Sequence, residues 1–138
     1  IDIKNPASIT VNELDIFKKL KNNKYKNFNS DVKRYIGWAN CVVLPSYREG
    51  TPRSLLEALS MGRPIITTNA IGCREVIVNH KNGFMVKTKD VDSLFDAIKY
   101  FHYLSLKKKI QMSKYSRKFV SNKFDENKVI NIYEKILI

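Results

Sequence analysis

The sequence predicts an open α/β fold, a Rossmann-like, doubly wound parallel sheet with helices on both faces. Two short, largely apolar runs, Cys41–Leu44 and Pro64–Thr68, carry most of this prediction, because continuous apolarity is typical of strands buried on both faces of a parallel sheet. A helical pattern separates them, and a third strand, Phe84–Val86, follows an Asn-Gly turn. Parallel strands need crossover helices, so the order strand–helix–strand–helix–strand indicates this architecture.

The N-terminal elements are predicted from local signals. A Thr-x-x-Glu capping box at residues 10–13 predicts a helix over about residues 11–20. Residues 24–29 are predicted to form a short strand. Ser30 or Asp31 is the predicted cap of the short helix that follows.

The central helix is predicted to start at Thr51-Pro52, an N-cap followed by proline at the first helical position, and to end at Gly62. Residues 72–77 are predicted as a loop with a short helix. After Asp90 the apolar spacing predicts helices only, three of them.

Length and composition narrow the class of protein. The 138 residues predict a single domain over residues 1–138. The chain opens on Ile1 without a signal-peptide pattern, and we expect a cut made inside a longer protein. No run approaches the roughly 20 apolar residues of a membrane span. Cys41 and Cys73 lack CxxC spacing, which favours a reducing cytoplasm, and no Cys/His cluster predicts a metal site.

The net charge of +12 comes mainly from lysines near both ends of the chain. Such a balance attracts polyanions: nucleic acid, anionic lipid or phosphorylated substrates. The alternative is that these lysines only solubilise exposed helix faces. Both interpretations stay open on composition alone. The basic tail comprises Lys107, Lys108, Lys109, Lys114, Arg117, Lys118 and Lys123.

The chemistry is expected beyond the carboxyl ends of the strands, where ligands bind in open parallel sheets. Two loops lie there, residues 45–53 after the first strand and residues 69–75 after the second. Both carry groups suited to a phosphorylated polyol. These groups are Glu49, Gly50, Thr51 and Ser54 near the first loop, and Gly72, Arg74 and Glu75 in the second.

The start of the central helix is the predicted anion site. Its first-turn amides, at Arg53 and Ser54 among others, have no carbonyl partner within the helix, and the helix dipole adds to their attraction for an anion. Gly50 lets a ligand approach the backbone. Glu49 and Glu57 then bracket the anion, which fits the order sugar, diphosphate, ribose. The alternative is an ordinary helix start with an exposed glutamate, since two glutamates eight residues apart also occur by chance.

Four consecutive blocks of the sequence carry a resemblance to family 4 glycosyltransferases, retaining enzymes of the GT-B fold. Residues 43–59 resemble the family's Glu-x7-Glu segment, and three further blocks match its order and spacing over about residues 38–104. Those blocks are residues 61–68, 72–76 and 82–86. Together with Asn-Pro-Ala-Ser-Ile at residues 5–9, the sequences of these blocks are most similar to those of a bacterial subgroup. Its members are N-acetylgalactosaminyl- and galactosyltransferases that extend polyprenyl-diphosphate-linked glycans from UDP-sugars.

The resemblance implies a role for each matching residue. Glu49 would contact hydroxyls of the donor sugar and favour an oxocarbenium-like transition state, which makes it the predicted catalytic residue. Glu57 would hold the ribose hydroxyls. The predicted donor-binding residues are Glu49, Gly50, Thr51, Pro52, Arg53, Ser54, Leu55 and Glu57. Arg53 could instead pair with Glu57, and Arg74 is expected to stabilise its loop. The resemblance implies no metal and no cofactor, the nucleotide-sugar being a substrate.

The resemblance also implies what the chain lacks. A GT-B enzyme closes its site with an N-terminal acceptor domain, and the family's Arg/Lys pair for the diphosphate precedes the segment present here. We therefore expect the C-terminal, donor-binding half of a hexosyltransferase that transfers to a glycan or polyprenyl-diphosphate acceptor, weak donor binding, and no transfer by this piece alone. The expected location is cytoplasmic, with peripheral contact at the inner face of the membrane.

Three alternatives compete with this interpretation. The charge suggests a nucleic-acid-binding module, although no nucleic-acid motif is present and the loops contain acids, so no nucleic-acid partner is expected. A GT-B epimerase or phosphorylase would share the architecture but not the chemistry. A sugar-nucleotide sensor without catalysis is the third. The donor sugar, the linkage and the oligomeric state are not encoded in any motif of this sequence.

Overall fold

A computed structural model describes residues 9–26 and 31–137, and the chain divides into two compact units, Ile1–Asp31 and Val32–Ile138. Each unit is described by itself. The single domain expected over residues 1–138 stays a prediction.

The first unit contains one helix, α1 (Val11–Lys19), among its described residues. The predicted capping box is present: the Thr10 hydroxyl accepts the Glu13 amide at 3.2 Å, and the Thr10 amide donates to Glu13 Oε2 at 2.7 Å. The Thr10 amide, together with the Thr10 hydroxyl that also donates to Glu13 Oε2 at 2.8 Å, holds the pKa of the Glu13 carboxyl below its ordinary value. The predicted helix is thus confirmed. Residues 24–26 have no regular structure, and the rest of the strand predicted over residues 24–29 lies outside the described residues.

A three-stranded parallel sheet forms the centre of the second unit. Its strands are β1 (Val42–Leu44), β2 (Ile65–Thr68) and β3 (Gly83–Val86), in the order β1-β2-β3. Gly83 allows β3 to approach β2, because a Cβ there would lie 1.8 Å from the Ile65 carbonyl oxygen. The parallel strands and their order along the chain confirm the predicted architecture.

Helices precede, connect and follow the strands. They are α2 (Val32–Trp38), α3 (Arg53–Ser60), a 3-10 turn (Arg74–Val76), α4 (Val91–Tyr103), α5 (Leu106–Lys123) and α6 (Glu126–Leu137). The three helices predicted after Asp90 are therefore present. Of the two predicted caps for α2, Asp31 directly precedes the helix, whereas Ser30 lies outside the described residues.

The core lies on both faces of the sheet. Successive strand residues point to opposite faces, so Ile65 packs with Leu55 and Leu59 of α3, whereas Ile66 packs with Phe101 of α4 and Met112 of α5. All these side chains are buried. Helices on both faces make the sheet doubly wound, as the sequence predicts.

One strand departs from the prediction. The apolar run of β1 was expected to be buried on both faces, but Val43 is 40% exposed, and its neighbours Val42 and Leu44 are half-buried. The physical reason is coverage: Val43 pairs with Ile66 and shares its face of the sheet, where α4 packs mainly against β2 and β3 rather than β1.

Candidate functional site

The two loops singled out by the sequence meet at the carboxyl edge of the sheet. The Thr68 hydroxyl, at the end of β2, donates to the carbonyl of Ser46, which follows β1. The Glu49 amide donates to the carbonyl of Ile71 at 3.1 Å. The first bond joins the loop of residues 45–53 to the end of β2, the second joins it to the loop of residues 69–75, and together they fix where the Glu49 backbone lies.

Gly72 brings the two backbones into contact. Its φ is +81°, and a Cβ placed on it would lie 1.7 Å from the Gly50 carbonyl oxygen and 2.5 Å from that of Glu49. No side chain fits in this gap, and the left-handed φ also favours glycine. Gly72 is therefore required by the packing of the loops, a role that the sequence pattern did not specify.

Glu49 is half-buried and oriented by a neighbour. The Ser46 hydroxyl donates to Glu49 Oε1 at 2.6 Å, a short distance typical of a hydrogen bond to a carboxylate. Oε2 has no donor within the part of the chain that the structure describes, so it can accept hydrogen bonds from a ligand. Sequence reasoning missed Ser46, although its spacing of three residues from Glu49 is the available signal.

The helix after this loop starts one residue later than predicted. Helix α3 begins at Arg53, and Pro52 is its N-cap, with φ −71° and ψ 109°. The amides of Leu55 and Leu56 both donate to the Pro52 carbonyl, which makes it the first acceptor of the helix. Thr51 is therefore not the N-cap, and no side chain caps α3.

This start leaves groups for an anion. The amides of Arg53 and Ser54 precede the first possible intrahelical bond, and both residues are exposed. Beside Gly50 there is open space, since a Cβ there would meet nothing within 4 Å. Thr51 is also exposed at this end of the helix. The predicted anion position is thus open and lined by donors.

Two predicted donor-binding residues turn away from this space. The side chain of Leu55 is fully buried in the core, and its amide is taken by Pro52, so only neighbouring residues offer free groups there. Pro52 is itself buried and has no amide hydrogen. Their contribution is to fix the direction of α3.

Glu57 and Arg53 lie one turn apart and line a shared cavity of about 540 Å³ beside α3. Lys33 of α2 lines the same cavity, and its apolar wall comes from Leu56, Val120 and Phe124. The alternative pairing of Arg53 with Glu57 is not formed: among the described residues neither side chain makes an ion pair. Both charges are thus available to a ligand. The structure adds Lys33 to the predicted residues.

A further cavity of about 360 Å³ opens on the other side of the Glu49 loop. It is lined by Tyr47 and Thr68 and by two lysines after β3, Lys87 and Lys89. The Lys89 ammonium lies 5.6 Å from the centre of the Tyr47 ring. The sequence analysis did not identify these lysines. A larger cavity, about 680 Å³ between β3 and α4, contains none of the predicted site residues.

The remaining candidates have structural roles. Arg74 donates through Nε to the Ala70 carbonyl at 3.5 Å, and Lys123 donates to the Glu75 backbone carbonyl at 2.9 Å, so Arg74 and Lys123 stabilise the second loop. The side chain of Glu75 is exposed. Burial raises the pKa of the Cys41 thiol to about 12, which keeps it protonated and poorly nucleophilic.

No group of three metal-ligating side chains occurs in residues 9–26 and 31–137. In the same residues no helix is long and apolar enough to span a bilayer.

Comparison with known proteins identifies the family. Residues 11–119, most of the chain, match the family described as glycosyl transferases group 1. The chain belongs to this family. The predicted glycosyltransferase membership is thereby confirmed, and the match includes both loops and all of α3.

Two relatives and one solved structure show what this glycosyltransferase chain is similar to. It is 38% identical over 74 residues to the N,N'-diacetylbacillosaminyl-diphospho-undecaprenol alpha-1,3-N-acetylgalactosaminyltransferase of Campylobacter jejuni, covering 54% of the chain and 20% of that protein. It is 34% identical over 71 residues to the UDP-Gal:alpha-D-GlcNAc-diphosphoundecaprenol alpha-1,3-galactosyltransferase of Escherichia coli, covering 51% and 18%.

Anabaena HepE, solved in complex with UDP-glucose, shares the fold with a TM-score of 0.81 at 22% identity, over 92% of this chain and 36% of HepE. The Rossmann-like α/β fold of GT-B glycosyltransferases is thereby confirmed. The matched part spans about a fifth of the length of the two curated relatives.

Proposed function

We propose that this chain is the donor-binding, C-terminal half of a retaining, family 4 glycosyltransferase that uses a UDP-sugar to extend a surface or lipid-linked glycan. The observation that carries the proposal is the arrangement at the carboxyl edge. Glu49, whose carboxylate is oriented by Ser46, lies in the loop that leads to the free first-turn amides of α3. Glu57 lies one helical turn after Arg53. The names of the relatives, which act on undecaprenol-diphosphate-linked sugars, support the acceptor class.

In this proposal each group binds one part of the donor. The amides of Arg53 and Ser54, with the Ser54 hydroxyl, hold the diphosphate at the positive end of the α3 dipole. The Arg53 side chain adds charge-assisted hydrogen bonds to the phosphates. Glu57 accepts from the ribose hydroxyls, and the sugar fills the open space beside Gly50.

Glu49 is proposed as the catalytic residue. The hydrogen bond from Ser46 to Oε1 fixes the orientation of the carboxylate. Oε2 is then positioned to accept a hydrogen bond from a hydroxyl of the donor sugar. When the bond from the anomeric carbon to the diphosphate breaks, positive charge develops on the sugar ring. A preorganised carboxylate stabilises that charge more than it stabilises the neutral ground state, which lowers the barrier.

The acceptor is proposed to bind a second domain that residues 1–138 do not include. Without it, and without further donors to the diphosphate, we expect weak donor binding and no transfer by the chain alone, because each missing charge-assisted hydrogen bond costs about 1.5–3 kcal/mol. The whole protein is proposed to act in the cytoplasm, without a metal or cofactor.

Calorimetric titration with UDP, UDP-sugars and GDP tests the proposal. Wild type should select uridine nucleotides, and Glu57→Ala should weaken binding of all of them. The matched control is Glu134→Ala, which removes the same charge from the exposed face of α6 and should leave affinity unchanged. Salt-sensitive binding of every polyanion that ignores both substitutions would refute the site and favour the nucleic-acid alternative.

A further inference from the structure

Helix α5 lies in a segment of the chain without any acid. From Ala97 to Phe124 there is no Asp or Glu, whereas eight residues are Lys or Arg. Two of these cations are engaged within the fold: Lys109 donates to the His102 carbonyl and Lys123 to the Glu75 carbonyl, each at 2.9 Å. The others in α5 are exposed, and none of them forms an ion pair with a described residue.

Four of the five exposed cations of α5 that form no ion pair with a described residue share one face with apolar side chains, and Lys108 lies outside it. At about 100° per residue, six residues fall within an arc of about 120° opposite the buried Met112, Ser116 and Val120. Leu106 and Ile110 are the apolar members, 74% and 46% exposed. Tyr103, 76% exposed, precedes them at the end of α4. The cationic members are Lys107, Lys114, Arg117 and Lys118. We call these six residues the α5 face.

A groove runs along the basic part of the α5 face. It measures about 450 Å³ and lies between α5 and the end of α3. Its lining residues are Met61, Gly62, Ser113, Lys114, Arg117, Lys118 and Ser121. Three cations and two hydroxyls supply donors of the kind that bind phosphate oxygens. No acidic residue lines it.

We propose that the α5 face docks on an anionic lipid surface. The groove takes phosphate headgroups, and Leu106, Ile110 and Tyr103 enter the boundary between the headgroups and the acyl chains. Binding to an anionic lipid interface scales with the apolar area that is buried and with the electrostatic attraction of Lys and Arg to the headgroups, and the α5 face offers both. The apolar residues favour lipid over nucleic acid, because a phosphodiester backbone offers nothing for exposed leucine and isoleucine to bury against. The inference does not depend on the donor site.

Vesicle cosedimentation of the whole chain tests this surface. Vesicles of phosphatidylcholine alone are compared with vesicles in which a quarter of the lipid is phosphatidylglycerol. We expect binding only to the second kind. The triple variant K114Q/R117Q/K118Q should bind at least tenfold more weakly. Its matched control, K19Q/K21Q/K24Q, removes three exposed charges from the first unit and should stay within twofold of wild type.

A third variant separates lipid from nucleic acid. L106S/I110S keeps every charge and should lower vesicle binding several-fold while leaving the binding of a DNA duplex unchanged. An equal loss of vesicle binding in both triple variants would show that net charge alone drives the binding, and it would overturn the proposal. Absence of vesicle binding by wild type, or vesicle binding indifferent to L106S/I110S, would also overturn it. Unchanged thermal unfolding midpoints exclude misfolding, and unchanged uridine nucleotide binding separates this result from the proposed function.

Discussion

The backbone of Gly72 passes so close to the first loop that no side chain fits between them. We expect Gly72→Ala to lower the free energy of unfolding by at least about 1–3 kcal/mol, because a residue with a Cβ is strained at φ +81° and meets the Gly50 carbonyl. Chemical denaturation measures this loss.

Gly50→Ala is the matched control for Gly72→Ala. Its Cβ meets nothing within 4 Å, so the free energy of unfolding should change by no more than about 0.5 kcal/mol. In the proposed function the same methyl group enters the space of the donor sugar and weakens UDP-sugar binding. Equal destabilisation by the two substitutions would show that the loops do not pack as described.

Ser46 offers a test of how Glu49 is used. Ser46→Ala removes the hydrogen bond to Glu49 Oε1. We expect UDP-sugar affinity to fall by about 0.5–1.5 kcal/mol, because the Glu49 side chain must then be ordered when the ligand binds. UDP lacks the sugar, so its affinity should not change. Calorimetry with both ligands measures the difference. Glu57→Ala should weaken both, and a Ser46→Ala variant that does the same would contradict the assignment of Glu49 to the sugar.

At the scale of elements, the end of α3 is fixed against α5. Gly62 has φ +68°, its amide donates to the Leu59 carbonyl at 2.9 Å, and the Arg63 amide donates to that of Ala58 at 2.8 Å. This pair of bonds is a Schellman motif, which ends the helix as the sequence predicts. A Cβ on Gly62 would lie 2.8 Å from Ser113 Oγ of α5.

Gly62→Ala should therefore destabilise the protein by more than the backbone strain of about 1–2 kcal/mol. The double variant G62A/S113A removes the clashing hydroxyl and should recover part of the loss, with a coupling of about 0.5–1 kcal/mol. Chemical denaturation of both single variants and the double variant closes the cycle. Additive effects would mean that α3 and α5 do not meet at this point.

At the scale of the whole molecule, the stability should depend on the protonation of Cys41. Its ordinary pKa of 9.0 is raised by burial to about 12 in the folded chain. The unfolded thiol ionises above pH 9 while the folded thiol keeps its proton, so the unfolded state binds fewer protons. The contribution of Cys41 to the free energy of unfolding is fully present below pH 9. It falls as the pH rises toward 12, by at most about 1.4 kcal/mol per pH unit.

The measurement is the free energy of unfolding of wild type and Cys41→Ala across this alkaline range. Other groups titrate there in both proteins, so the difference between the two curves isolates Cys41. Wild type should lose stability more steeply above pH 9. Parallel curves would show that the thiol is not shielded from water in the fold.

The sequence by itself determined the elements and most of the candidate site. Apolar runs predicted the strands and the capping box predicted α1, because these signals act between residues close in the chain. The sequence also predicted four residues of the candidate site, because they lie close together in one loop and the helix that follows it. These residues are Glu49, Gly50, Arg53 and Glu57.

Only the tertiary structure decided the contacts between segments. Val43 is exposed because α4 covers mainly β2 and β3 on that face of the sheet, which the composition of β1 does not encode. Pro52 replaces Thr51 as the N-cap, since its carbonyl accepts the first amides of α3. Lys33 reaches the Glu57 cavity from another helix. Local propensity fixes which elements form, whereas packing between distant segments fixes which side chains share a site.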